Sequence, residues 1–166
     1  MRFKYCPNCG DKGSVEAKDK TTYYCTSCKT NYWNNPKPAT SIIFIKDDKI
    51  LFSKRGLEPD IGRYELPGGF LEYGESAEEC CVREISEETG LVVSEDDLRL
   101  IGAYPSEYSE GISTLDILFI VTRWQGEPKA DDDVAALEWK PISYIESDDF
   151  LRPYFGVIDK ITEALR

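Results

Sequence analysis

From Thr40 onward the chain alternates short runs of branched apolar residues with polar turns, the pattern of strands in a packed sheet. SIIFI (41–45), a turn at Lys46-Asp47-Asp48-Lys49 and ILFS (50–53) predict a hairpin. Arg63-Tyr64-Glu65-Leu66 predicts a short strand running into Pro67, Gly68 and Gly69. LRLIGAY (98–104) and LDILFIVTRW (115–124) predict two more; Asp131-Asp132-Asp133 precedes ALEW (136–139), and Pro141 to Ile145 predicts one helical turn. The period turns helical twice. Ser76 followed by Glu79 is a capping-box pattern that opens a helix, and Gly90 closes it in the left-handed conformation. A last helix is predicted from near Pro153, where Phe155, Ile158, Ile161, Thr162 and Leu165 form an apolar stripe. No internal repeat appears. Strands interleaved with two main helices predict an α/β sandwich.

The first 33 residues follow other rules. Cys6, Cys9, Cys25 and Cys28 form two CxxC knuckles, CPNC and CTSC, with fifteen residues between them. Four thiolates at that spacing can close a tetrahedron around Zn2+ with no ligand position left open, which favours a structural over a catalytic ion. Two disulfides are the competing reading, and they suit neither the missing signal region nor the two further cysteines. So short a segment buries little, so metal binding would supply most of its stability. Tyr23, Tyr24, Tyr32 and Trp33 cluster around the second knuckle, where filling a small core is favoured over stacking on bases. Asn34-Asn35-Pro36-Lys37-Pro38 breaks regular structure. The expected division is a zinc ribbon at 1–33, a linker at 34–39 and a main domain at 40–166.

Composition narrows the function. A chain of 166 residues holds one domain with a sizeable core plus a small module. No apolar run approaches the roughly 20 residues that span a membrane, and MRFKYCPNCG has no apolar signal region, so the expected location is cytoplasmic. The net charge of −11 argues against a sequence-independent grip on nucleic acid. It does not exclude phosphate-bearing substrates, because bound cations invert the local field. The charge is uneven: residues 1–33 carry six basic side chains against three acidic ones, leaving −14 for the remainder. Histidine is absent, so acid–base work falls to carboxylates, Lys, Tyr or metal-bound water.

Most of the chemistry lies in GFLEYGESAEECCVREISEETGL (69–91). On the predicted helix Glu84, Glu87 and Glu88 stand at i, i+3 and i+4, so their carboxylates share one face and repel one another unless a cation sits between them. Mg2+, which demands oxygen ligands, is the simplest candidate. A solvated acidic helix is the plainer alternative, but it needs neither Arg83 nor the bracketing glycines. Cys80 and Cys81, on the same helix, read as small buried hydrophobes.

The segment resembles the Nudix box: it fills every defining position of GX5EX7REUXEEXGU, with U an apolar residue. The resemblance covers nearly the whole chain. It implies an α/β/α sandwich with a mixed β-sheet behind the zinc-ribbon module, and a Mg2+- or Mn2+-dependent hydrolase of diphosphate bonds. By the same resemblance Glu84, Glu87, Glu88 and the Gly69 carbonyl would hold the metal, with Glu88 alternatively acting through a water. Arg83 and Glu75 would support the box as a bidentate pair. Asp133, six residues before Trp139, matches a recurrent family acid, usually Glu, that supplies a metal ligand or general base. Glu107 and Glu110, on an expected loop after Tyr104, compete for the role of base.

A ribbon followed by a Nudix domain is similar to the NADH pyrophosphatases. Their SQPWPFPxS-like stretch is replaced here by AYPSEYSEG (103–111), so NADH specificity is not implied. ADP-ribose or FAD is favoured, with NADH, an NAD cap or a diadenosine polyphosphate as alternatives. Pro105, fourteen residues past Leu91, matches a proline that accompanies ADP-ribose activity; Tyr108, seventeen past it, matches a tyrosine of diadenosine polyphosphate hydrolases. A non-catalytic nucleotide sensor with the ribbon as its partner-binding module is the competing class, although such sensors usually lose the box carboxylates kept here. The expected partners are a small nucleotide diphosphate and a second copy of the chain, with neither membrane nor nucleic acid.

Overall fold

A computed structural model describes residues 3–58, 60–109 and 111–151, and the single positions Asp159, Ile161 and Glu163. The chain divides into two units, Met1–Pro36 and Lys37–Arg166.

In the smaller unit, β1 (Val15–Ala17), β2 (Thr22–Cys25) and β3 (Asn31–Trp33) form an antiparallel sheet. Val15 pairs with Cys25, Tyr23 with Tyr32 and Thr22 with Trp33. Because side chains alternate along a strand, Val15, Tyr23, Cys25 and Tyr32 share one face. That face closes a core of Cys6, Val15 and Cys25, with Phe3, Tyr23, Cys28 and Tyr32 packed around it. The opposite face carries Thr22, Tyr24, Asn31 and Trp33. The expectation that all four aromatics fill the core is corrected here: Trp33 is 67% exposed. A sheet of three- and four-residue strands has a core on one side only, and Trp33 falls on the other.

In the larger unit, Asp47 and Asp48 both take left-handed backbone (φ 51° and 59°), the geometry of a tight two-residue hairpin loop. They join β4 (Lys37–Lys46) to β5 (Lys49–Arg55). There follow β6 (Tyr64–Glu65), helix α1 (Ala77–Thr89), a 3-10 turn at Glu95–Asp97, β7 (Leu98–Ser109), β8 (Ile112–Val121), β9 (Val134–Pro141) and a 3-10 turn at Ile142–Glu146. The sheet order is β6-β5-β4-β8-β7, with β9 pairing β5. The β4–β8 pair is parallel and the other named pairs are antiparallel, so the sheet is mixed.

As a central strand β4 is buried on both faces, which explains the unbroken run SIIFI. Ile42 and Phe44 pack with Cys81 and Ile85 of α1, whereas Ile43 packs with Ile50, Phe52, Leu118 and Ile120. Each such side chain contributes about 1.5–3 kcal/mol through burial. Cys80 and Cys81 are buried, and burial pushes their thiols up to about 11 and about 12.

Three expectations shift. β4 begins at Lys37, inside the stretch read as linker, because residues 37–39 pair with Thr114, Leu115 and Asp116. β8 ends at Val121, where the chain turns away; Trp124 instead packs edge-on against Phe44 at 5.5 Å and stacks on Trp139. β7 runs on to Ser109, so Glu107 lies on a strand paired with Ser113 and not on a loop. Asp159, Ile161 and Glu163 are helical, with Ile161 buried beside Ile43; the rest of the predicted last helix lies outside the described residues.

Candidate active site

α1 is fixed at both ends. Ser76 Oγ accepts from Glu79 N at 3.0 Å while the Glu79 carboxylate accepts from Ser76 N at 2.7 Å, and Gly90 caps the last turn in left-handed conformation. Between these caps the helix faces a cleft of about 380 Å3. Glu84, Glu87 and Glu88 line one wall, and Asp132 and Asp133 stand on the turn before β9. That turn is tied to α1, since Lys129 N donates to Thr89 O and Asp131 N to Glu88 O. It is also tied to the end of β5, where Gly56 N donates to Asp133 O at 2.7 Å. Asp133 is therefore held on the cleft by backbone bonds from both sides.

Arg83 organises the shelf. Its Nε and Nη2 donate to the two Glu75 oxygens at 2.9 and 3.0 Å, a bidentate pair, and Nη2 also reaches Phe70 O at 3.1 Å. Its Nη1 donates to Glu84 at 2.7 Å and Glu87 at 3.1 Å. The arginine holds the Glu75 carboxyl below its ordinary range. Glu75 thus contributes stability that is present above the unfolded carboxyl pKa of about 4.3 and is lost as pH falls through its lower folded value. Glu75→Gln is expected to lower stability by about 1–2 kcal/mol at pH 7. Thermal melts of both proteins at pH 7 and pH 3 should show the gap closing in acid.

Glu88 is 6% exposed and accepts from Gly68 N at 2.9 Å. Burial raises its pKa well above the carboxylate range, against the pull of that amide, with Glu84, Glu65 and Asp133 pushing the same way. Burial likewise raises Glu84, opposed by Arg83 and reinforced by Glu87 and Asp133. Arg83 is the cation that the structure sets between Glu84 and Glu87. Gly68 and Gly69 let the backbone approach the carboxylates. A Cβ on Gly68 (φ 135°) would collide with Thr40 O, and one on Gly69 would fall on the Glu84 carboxylate. The Gly69 carbonyl accepts from Thr40 N at 2.8 Å and, more weakly, from the Cys80 thiol at 3.8 Å.

Of the other cleft-lining residues the sequence singled out Tyr108 by its spacing from Leu91, whereas Arg55, Glu65 and Phe70 were not legible as site residues. Arg55, 8% exposed at the end of β5, donates to Glu65 at 2.7 Å and lies 3.5 Å from Tyr108 Oη. Tyr108 meets Phe70 edge to face at 5.1 Å, and all three line the cleft. Pro105 lies on β7 opposite Leu115. Glu107 accepts from Gly111 N at 3.1 Å at the hairpin end and is not among the cleft-lining residues. Glu110 lies outside the described residues.

Residues 35–159 match the NUDIX domain family. The chain belongs to the Nudix family. An ADP-ribose pyrophosphatase of Methanocaldococcus jannaschii is 40% identical over 111 residues, 67% of this chain and 65% of the relative. The NAD-capped RNA hydrolase NudC of Vibrio atlanticus is 28% identical over 138 residues, 82% of this chain and 49% of the relative. The chain thus spans about two-thirds of the first relative's length and half of the second's. A Nudix hydrolase of known structure from Nitrosomonas europaea superposes with a TM-score of 0.67 over 96% of this chain and 88% of its own, at 24% identity, a likeness of fold.

Apart from the Nudix cleft, the ribbon gathers the sulfurs of Cys6, Cys9, Cys25 and Cys28 within 4.8 Å of one another. Cys6 and Cys28 sulfurs are 3.7 Å apart, and those of Cys9 and Cys25 3.8 Å. Both separations exceed the roughly 2.05 Å of a disulfide, and the four cysteines are free. A tetrahedron with Zn–S bonds of about 2.3 Å has edges of about 3.8 Å, so the four sulfurs fit a zinc ion. Among the described residues no helix is long and apolar enough to cross a membrane.

Proposed function

We propose that this Nudix protein is a divalent-metal-dependent pyrophosphohydrolase that splits a nucleoside diphosphate joined to a second group, with ADP-ribose the leading substrate. The observation that carries this is a cleft lined both by the acidic shelf on α1 and by Arg55, Phe70 and Tyr108. The shelf is suited to a metal-bridged diphosphate, and the aromatic pair offers a surface for a ring system. The resemblance to an ADP-ribose pyrophosphatase at 40% identity supports the substrate.

Glu84, Glu87, Glu88 and the Gly69 carbonyl would hold Mg2+ or Mn2+. A bound ion of this kind neutralises phosphate oxygens and lowers the pKa of an attached water. Arg83 keeps the Glu84 and Glu87 side chains fixed on the helix face, tied back through Glu75. Gly68 N orients Glu88. Asp133, half-buried on the same cleft, is the group we assign to accept the proton of the attacking water. Asp133→Asn should lower kcat by about two to four orders of magnitude with little change in Michaelis constant, in steady-state assays with Mg2+.

The substrate reading is tested with ADP-ribose, FAD, NADH, diadenosine polyphosphates and nucleoside triphosphates, each with Mg2+ and Mn2+. ADP-ribose should give AMP and ribose 5-phosphate at the highest kcat/KM. Preference for another member would overturn the substrate, and no metal-dependent turnover of any member would favour the sensor class.

A further inference from the structure

We propose that the outer face of the ribbon sheet is a docking surface for single-stranded RNA, with Trp33 as its stacking platform. The face presents Thr22, Tyr24, Asn31 and Trp33, with Thr22 directly opposite Trp33 and Tyr24 one pair further along. Trp33 is 67% exposed although the other side of the same sheet holds the ribbon's core. Lys18 is positioned over this face. Its Nζ lies 4.1 Å from the centre of the Tyr24 ring and donates to Asn31 Oδ1 at 2.9 Å. Tyr24 is thus covered by an ammonium, and Trp33 keeps an open ring.

Aromatics standing on an open sheet face, flanked by cations, stack single-stranded bases without reading a duplex. The charge agrees. The ribbon's side chains sum to +3, and a zinc tetrathiolate of charge −2 leaves about +1, against −14 for the rest of the chain. Lys18 and Lys20 lie on the same connection as the exposed Asp19, whose carboxylate accepts from Thr21 N and Thr22 N, both at 2.7 Å. Glu16, opposite Tyr24, places a carboxylate on this face as well. Thr22 and the Asn31 amide offer partners for a 2′-hydroxyl, which favours RNA over DNA. So few cations make stacking the main source of affinity and salt dependence shallow.

The test uses the full zinc-loaded chain and a fluorescein-labelled 12-mer of oligouridylate, read by anisotropy without added divalent metal. Trp33→Leu and Trp33→Lys should each weaken binding about tenfold or more, the loss expected for one stacked base, while zinc content and ADP-ribose turnover stay unchanged. Trp33→Phe should stay within about threefold of the parent. With two lysines on phosphate, log K should fall with log salt at a slope of about −1.4. Trp33→Lys binding as tightly as the parent would mean that charge alone drives association, and would overturn the proposal. So would no binding up to about 1 mM, or equal binding of oligodeoxythymidylate. A Trp33→Leu variant that turns a dimer into a monomer while binding RNA normally would assign the face to a second copy instead.

Discussion

Glu88→Gln should lower the turnover number by at least about two orders of magnitude and leave the fold intact. The kinetic loss follows from removing a charge that helps place a cation against the phosphate oxygens in the transition state. The stability effect has the opposite sign. Without metal, the folded protein binds the Glu88 proton more tightly than the unfolded chain does, because burial raises the folded pKa. The stability linked to that proton is complete below the unfolded value of about 4.3 and is lost as pH rises toward the folded one. At neutral pH and without metal, the Gln variant should therefore melt no lower than the parent. Added Mg2+ should raise the parent's melting temperature more than the variant's. Glu79→Gln, four residues before Arg83 on the same helix, changes only the charge at the N-terminal cap. It should cost about 0.5 kcal/mol and keep most turnover. Equal kinetic losses in the two variants would sink the assignment of the shelf.

The contrast between Glu88 and Arg55 shows what the sequence could and could not disclose. The shelf is contiguous: Glu75, Arg83, Glu84, Glu87 and Glu88 lie on one helix and its entry loop, so helical spacing alone places them together. Asp133 was reachable through its distance from Trp139, although what holds it is a pair of backbone ties to α1 and β5. Arg55, Glu65, Phe70 and Tyr108 come from four separate stretches and meet only because β5 pairs with β6 and β7 reaches the cleft. Spacing from Leu91 singled out Tyr108 but carries no trace of its neighbours Arg55, Glu65 and Phe70. Glu107 was misplaced for a related reason. Pro105-Ser106-Glu107 has weak strand propensity, yet pairing with residues 113–115 of β8 overrides it. On the ribbon, composition located the aromatics but not their faces, which depend on the register that sets Thr22 against Trp33.

Zinc removal should melt the ribbon and spare the Nudix domain. The ribbon's buried core is three residues, two of them cysteines proposed as ligands, so apolar burial gives it little stability of its own. In comparable zinc peptides metal binding is worth about 10–16 kcal/mol, enough to decide between folded and unfolded. The larger unit has its own core of two apolar clusters around β4 and β5, and every cleft-lining residue lies beyond Pro36. The purified protein should contain about one equivalent of zinc. A chelator should abolish the dispersed resonances of residues 1–33 in an NMR spectrum and leave those of the α1 core in place. A truncation starting at Asn35 should then hydrolyse ADP-ribose within a few-fold of the parent once Mg2+ is restored, and should have lost the oligouridylate complex. A truncated protein that is folded but inactive on every substrate would mean that the ribbon completes the catalytic site or a required dimer, and the division of labour argued here would be wrong. One that turns over normally and still binds RNA would leave catalysis where it stands and move the RNA surface onto the larger domain.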